Sequence, residues 1–396
     1  MLEVQHTRES SDKRVRARYP SSRVRNVAMV GTYPPTECGL ATFTQNVARA
    51  IAMDSADWRV SVVRVLDAPE VEVHDEVIAH WVGGDPVSMR RALAALSSAE
   101  VVVLQHEYGL FAGRDGAEVL DFVDLLSTPL VVVLHSVLAK PSRHQREILE
   151  RLIRAASMVV VQSEHARSRL IKDYGARAQS VAVIAHGASA NVDGERPEVE
   201  HPRILTWGLI GPGKGIEHAI AAVARLAGRD PAPTYVVAGA THPKVLAAEG
   251  ERYRRGLEAT CARLGVTREV LFDQGYRDWE SLRALVRSAD VVLLPYDSRE
   301  QESSGVLVEA LASGKPVVAT RFPHAVELLS DGAGIIVEQG DVAAMSAALA
   351  RVLYEPGVAE EMGRRALRAS SSLLWPQVGL AYRALLSRVV SANRWG

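Results

Sequence analysis

The sequence predicts an α/β protein: two doubly wound parallel-sheet domains facing each other across a cleft. Three observations carry this. Short unbroken runs rich in β-branched residues, such as Val101–Gln105, alternate with longer amphipathic stretches, as strands buried on both faces alternate with crossover helices. The alternation stops over a polar, proline-containing stretch at 189–202 and then restarts. The chain of 396 residues is also too long for one ordinary core.

In the first half, strands are expected at Val27–Gly31, Val60–Val65, Val77–Val82, Val101–Gln105, Leu130–His135, Met158–Gln162 and Val181–Ala185. Helical patterns at Ala41–Met53, Val87–Leu96, Gly116–Leu126, Arg143–Ala155 and Glu164–Tyr174 lie between most of them. In the second half, strands are expected at Ile204–Trp207, Tyr235–Ala238, Val270–Phe272, Val291–Leu294, Pro316–Ala319 and Gly334–Val337, with a last helix over Trp375–Val390. The organisation follows: a disordered basic tail over 1–23, an N-terminal domain over 24–188, a linker over 189–202, a C-terminal domain over 203–374, and a closing segment over 375–396.

Composition excludes several function classes. Hydrophobic content of 47% and charged content of 23% are ordinary for a globular chain. A formal net charge of −1 gives no global field for nucleic acid or anionic membrane. Cys38 and Cys261 stand alone, so neither a disulfide framework nor a zinc pattern is expected, and a reducing cytoplasm fits. No apolar run approaches the roughly 18–20 residues of a membrane span, and the polar start does not read as a secretory signal. The start is basic (Lys13, Arg14, Arg16, Arg18, Arg23, Arg25) and reads first as a solvated tail, with a membrane-surface or partner role as the alternative.

Open parallel sheets bind ligands at the carboxyl ends of their strands, so chemistry is sought there. The first strand leads into TYPPTECGLATF, where Gly39 before a helix lets backbone approach an anionic ligand; a plain strand-to-helix turn is the alternative. The fourth strand ends in His106 and Glu107, a polar pair in the right place. His135 and His186 also end strands but read first as packing residues. In the second half, GLIGPGKG places Lys214 in a glycine-rich loop before a helix, an arrangement suited to a pyrophosphate; it matches neither GxxxxGK[ST] nor GxGxxG. The sharpest segment is PYDSREQESSGVLVEALASGKPVVAT. Ser303 or Ser304 is expected to cap a helix whose first amides, at Gly305 and Val306, face a phosphate. Glu309, one turn in, is placed to accept from ribose hydroxyls, and Glu300 or Glu302 in the preceding loop to accept from a sugar.

With these segments in order, together with QHEYGLFAG, LHSVL, VIAHG and GATHP, the chain resembles the family-4 retaining glycosyltransferases of the GT-B fold, over roughly Val24 to Leu386. Within that family it is similar to a bacterial mannosyltransferase-like subgroup. The resemblance implies two Rossmann-like domains, Gly39 near the donor phosphates, His106 beside the donor sugar as a catalytic group, Lys214 on the pyrophosphate and Glu309 on the ribose. It places Tyr276 near the nucleobase and Glu302 at the sugar, and it implies no obligatory metal; no Asp-x-Asp occurs in the chain.

Two departures stand out. Leu209 occupies the place of a family arginine, and Gln301, flanked by Glu300 and Glu302, stands where the first glutamate of the family's paired motif belongs. The expected function is transfer of a hexosyl group, mannosyl or glucosyl, from a nucleotide sugar (GDP-mannose first, UDP-glucose next) to a carbohydrate or lipid-linked acceptor, with retention. A nucleotide-sugar epimerase, a non-catalytic nucleotide-sugar binder and a membrane-surface enzyme remain as alternatives.

Overall fold

The computed structural model describes residues 25–70, 74–275, 277–298 and 303–393. The expected tail at 1–23, Glu300, Gln301, Glu302 and Tyr276 lie outside them.

The first domain runs β1 (Arg25–Gly31), α1 (Gly39–Ala52), β2 (Trp58–Leu66), β3 (Val77–Val82), α2 (Pro86–Ala95), β4 (Val101–His106), α3 (Glu118–Leu125), β5 (Leu130–Leu134), α4 (Arg143–Ala155), β6 (Met158–Val161), α5 (Glu164–Tyr174) and β7 (Val181–Val183). The second runs β8 (Arg203–Trp207), α6 (Ile216–Ala224), β9 (Thr234–Ala238), α7 (Pro243–Glu249), α8 (Arg252–Leu264), β10 (Val270–Asp273), α9 (Trp279–Ser288), β11 (Val291–Leu294), α10 (Gly305–Ala312), β12 (Val317–Thr320), α11 (Pro323–Leu329), β13 (Gly334–Val337), α12 (Val342–Tyr354) and α13 (Val358–Ser370). A final helix, α14 (Trp375–Asn393), follows.

Differences from the expected boundaries have local causes. α1 starts at Gly39 because Cys38 is extended and its Sγ accepts the Ala41 N–H at 3.4 Å, a sulfur cap. β12 starts after Pro316, which has no N–H for the ladder but whose carbonyl still accepts from Val292 at 2.9 Å. β5 ends at Leu134, not His135, though the His135 N–H still donates to the His106 carbonyl at 3.1 Å beside the Leu134–His106 pair.

Both sheets are parallel throughout, in the orders β3-β2-β1-β4-β5-β6-β7 and β10-β9-β8-β11-β12-β13. Each order reverses direction once, between β1 and β4 and between β8 and β11. A crevice opens there because the helices that follow the two strands leave to opposite faces.

The domains are joined twice. The linker is pinned to the second domain by Asn191, whose amide donates to the Arg283 carbonyl at 3.1 Å and to Ser313 Oγ at 3.2 Å. α14 then returns to the first domain and buries Trp375, Tyr382, Leu385 and Leu386 against α1 and the sheet. Each buried side chain contributes roughly 2 kcal/mol of apolar transfer, so the return is a firm anchorage. The two crossing segments are bonded to each other: Ala188 donates to Leu373 at 2.9 Å and Trp375 to Ala188 at 3.0 Å. Opposite them, the Glu327 carboxylate of α11 accepts from the His165 and Glu164 N–H groups at 2.8 and 3.2 Å, docking on the N-terminus of α5.

Candidate active site in the interdomain cleft

The four loops singled out in the sequence leave the four strands that flank the two reversals. The Thr32–Cys38 loop leaves β1, His106 ends β4, Gly208–Gly215 leaves β8, and the segment from Pro295 leaves β11.

On the second-domain side, Gly215 adopts the left-handed conformation (φ 63°), and a Cβ there would overlap the Pro295 carbonyl oxygen. The glycine therefore lets the β8 loop lie directly on the β11 loop, bringing Lys214 over the Tyr296 ring, with Nζ 4.6 Å from its centroid. Burial holds the Lys214 ammonium below its usual range. The Tyr296 hydroxyl lies 3.2 Å from Ser304 Oγ. Ser304, rather than Ser303, is the cap of α10: it is extended, and its Oγ accepts the Leu307 N–H at 3.2 Å. Its own N–H donates to His324 Nδ1 at 3.1 Å, which leaves the proton of that neutral imidazole on Nε2. Burial drives His324 down to about 3.

Glu309 stands one turn into α10, half-buried between Val308 and Ala310. Burial pushes its carboxyl up to about 7, and the Trp207 side chain at the end of β8, by donating a hydrogen bond, pulls it down only in part. A carboxyl held this way gains from further donors such as vicinal hydroxyls, because they replace the water that burial has removed.

On the first-domain side, His106 is fully buried, edge-on to Tyr108 at 5.2 Å, and among the described residues neither ring nitrogen has a partner. Burial lowers it to about 4, so it is a neutral imidazole. His135 is a satisfied interior residue: Nε2 meets Gln105 Oε1 at 2.8 Å and Nδ1 meets the Gln162 amide at 3.2 Å. Gly39 opens α1 with open space around its Cβ position, so a ligand can approach its backbone.

His186 packs against Phe43 and Trp375, with ring centroids 5.0 and 5.9 Å away, in keeping with its sequence reading, and it also faces the cleft. Its Nδ1 donates to the Gly187 carbonyl at 2.8 Å, and its Nε2 faces α10, 2.7 Å from the position a Cβ at Gly305 would take. It therefore lies across the cleft at the start of the helix expected to hold a phosphate. Trp207, Tyr296 and His324 also belong to the cluster and were missed. The first two end or follow strands, which is a signal; His324 is separated from Ser304 by twenty positions and has none.

Among the described residues no helix is long and apolar enough to cross a membrane, and no group of three or more His, Cys, Asp or Glu is arranged to hold a metal ion. The arginines of α4 are paired with acids: Arg143 with Glu147 at 2.9 Å, Arg151 with Asp124 at 2.5 Å and Arg146 with Glu150 at 3.6 Å.

Residues 38–191 match the family model described as Glycosyltransferase Family 4, and residues 191–369 the model described as Glycosyl transferases group 1. The D-inositol 3-phosphate glycosyltransferase of Corynebacterium diphtheriae is 30% identical over 277 residues, 64% of this chain and 63% of that one. The GDP-mannose-dependent alpha-(1-6)-phosphatidylinositol monomannoside mannosyltransferase of Mycolicibacterium smegmatis is 28% identical over 235 residues, 55% of this chain and 58% of that one. The matched regions thus span less than two thirds of these two relatives. Among solved structures, HepE of Anabaena, in complex with UDP and glucose, superposes with a TM-score of 0.76 at 18% identity, covering 92% of this chain and 100% of that one. The fold is GT-B.

Proposed function

We propose that this chain, a GT-B protein built of two matched glycosyltransferase domains, moves a mannosyl or glucosyl group from a nucleotide sugar to a hydroxyl acceptor, with retention of anomeric configuration. One observation carries the reading. Lys214, Tyr296 and Ser304 form a continuous run at the reversal of the second sheet, with Glu309 and Trp207 beside it. An ammonium, the first amides of α10 and a buried carboxyl are what a pyrophosphate followed by a ribose requires.

In this reading the pyrophosphate lies on the Gly305 and Val306 amides and Lys214, and the ribose diol on Glu309. The sugar points towards His106, with Glu302 as its ligand from the β11 loop and Tyr276 near the base. The C1–O bond to the leaving phosphate breaks as negative charge grows on that phosphate, where Lys214 and α10 meet it. The acceptor oxygen bonds to C1 on the same face, and its proton passes to the leaving phosphate oxygen. His106, neutral and unpartnered, stabilises the cation-like sugar. Transfer proceeds without an obligatory metal. The GDP-mannose dependence named for one relative and the UDP-glucose bound in HepE support these two donors as first candidates, and the inositol phosphate and phosphatidylinositol mannoside in the relatives' names support a carbohydrate or lipid-linked acceptor.

A thermal-shift panel of UDP-, GDP- and ADP-sugars tests this. At a hundredfold excess over Kd, the true donor stabilises the protein by about 2.7 kcal/mol. Lys214→Met should abolish most of that shift and, with it, the slow acceptor-free hydrolysis of the donor. A panel with no responding nucleotide sugar would overturn the reading; binding without any hydrolysis would leave a non-catalytic binder.

A further inference from the structure

One side chain of the second domain reaches the loop that follows β4. Lys244, in the first turn of α7, lies on Gly109: a Cβ added at Gly109 would overlap Nζ and stand 3.2 Å from Cε. Beside it lies Glu107. One carboxylate oxygen of Glu107 accepts from Ser136 Oγ at 2.5 Å and the other from the Tyr108 N–H at 2.9 Å. The groups that act on this carboxyl are thus Tyr108 on its own segment, Ser136 after β5 and Lys244 from across the cleft. Burial pushes the carboxyl up, and these three pull it back.

The lysine is fastened at its other end to the loop carrying Lys214. The Lys244 N–H donates to His242 Nδ1 at 3.2 Å, and the His242 N–H donates to the Ile210 carbonyl at 2.8 Å. Burial lowers His242, and both Lys244 and Lys214 push it the same way, so the two ammonium groups share one neighbourhood.

We propose that Lys244 is the closing contact of the cleft: seated on Gly109 and facing Glu107, it couples the Lys214 loop to the His106 loop and acts as a positioning residue for transfer. The proposal rests on the transferase reading above. A side chain at 109 would displace the ammonium from this seat. Gly109 is outside the left-handed region, so Gly109→Ala displaces the ammonium from its seat without straining the backbone and with both charged residues left unsubstituted.

Full-length Gly109→Ala, Lys244→Met and Lys244→Arg are compared with the wild type in two experiments. The first needs no substrate: the Glu107 carboxyl is titrated by carbon-13 NMR, its signal assigned by its loss in Glu107→Gln. Displacing the ammonium removes a favourable charge, so the midpoint should rise in Gly109→Ala and Lys244→Met and stay in place in Lys244→Arg. The second measures hydrolysis of GDP-mannose and UDP-glucose. Mispositioning of the His106 loop should lower kcat by about ten- to a hundredfold in the same two variants, with donor affinity changed less than about twofold. A Gly109→Ala protein with wild-type titration and wild-type kcat overturns the proposal. So does a Lys244→Met protein that loses donor affinity while Gly109→Ala keeps its turnover, because the lysine is then only a donor ligand. A wild-type chain that hydrolyses neither donor sinks the transferase reading, and the titration still decides the contact.

Discussion

Replacing Glu309 by glutamine separates what this residue does for the fold from what it does for a ligand. Burial raises its carboxyl from 4.5 to about 7. At about 1.4 kcal/mol per pH unit, ionising Glu309 in the ligand-free protein costs about 3 kcal/mol relative to the unfolded chain. A carboxyl whose folded pKa lies above its unfolded one favours the fold below pH 4.5, and that contribution is lost as pH rises through about 7. Glutamine never ionises and keeps a carbonyl oxygen for the Trp207 hydrogen bond. The ligand-free variant should therefore be more stable than the wild type at pH 8, by up to about 3 kcal/mol and several degrees in Tm, with the gap closing towards pH 5. Nucleotide-sugar affinity should move the other way. Two hydrogen bonds from ribose hydroxyls to a carboxylate become weaker bonds to an amide, a loss of about ten- to a hundredfold. Binding to the wild type at pH 6 should release protons, because the hydroxyls favour the ionised carboxyl; binding to the variant should not. Differential scanning fluorimetry at pH 5 and pH 8, with calorimetry in two buffers of different ionisation enthalpy, reads all of this. A variant less stable than the wild type at pH 8, or one that binds the donor as tightly, would refute the reasoning.

His106→Ala should lower transfer by at least about a hundredfold with little change in donor affinity, since the imidazole lies on the first domain; pre-steady-state kinetics separates the two. Ser304→Ala removes the cap of α10 and the contact with Tyr296, so stability should fall by about 1 kcal/mol in denaturant titration, and donor KM should rise because the amides at Gly305 and Val306 lose their fixed orientation. A cap variant with unchanged KM would argue that α10 does not hold the phosphate.

The period of the hydrophobic pattern determined the two parallel sheets. A strand covered on both faces needs an unbroken apolar run whatever the rest of the chain does, and Val291–Leu294 and Gly334–Val337 have the expected limits. Several element ends shifted by a residue or two, because caps and ladder partners set them: the Cys38 sulfur at α1, and Pro316, which has no N–H for the ladder, at β12. Lys214, Ser304 and Glu309 were legible because glycine-rich loops, caps and a carboxylate in an apolar helix are local signals.

Contacts between segments far apart in the chain, across the cleft or within one domain, were not legible. His186 on Gly305, His324 on Ser304 and Lys244 on Gly109 join positions far apart in the chain, and no local propensity records such a meeting. The amino-acid order by itself determined which segments become strands and helices, and hence which loops stand at the carboxyl ends of the sheets. Strand order, the return of α14 and the seating of one domain on the other were decided only by tertiary packing. They depend on which buried faces fit together, and that is a property of the assembled surfaces rather than of any one segment.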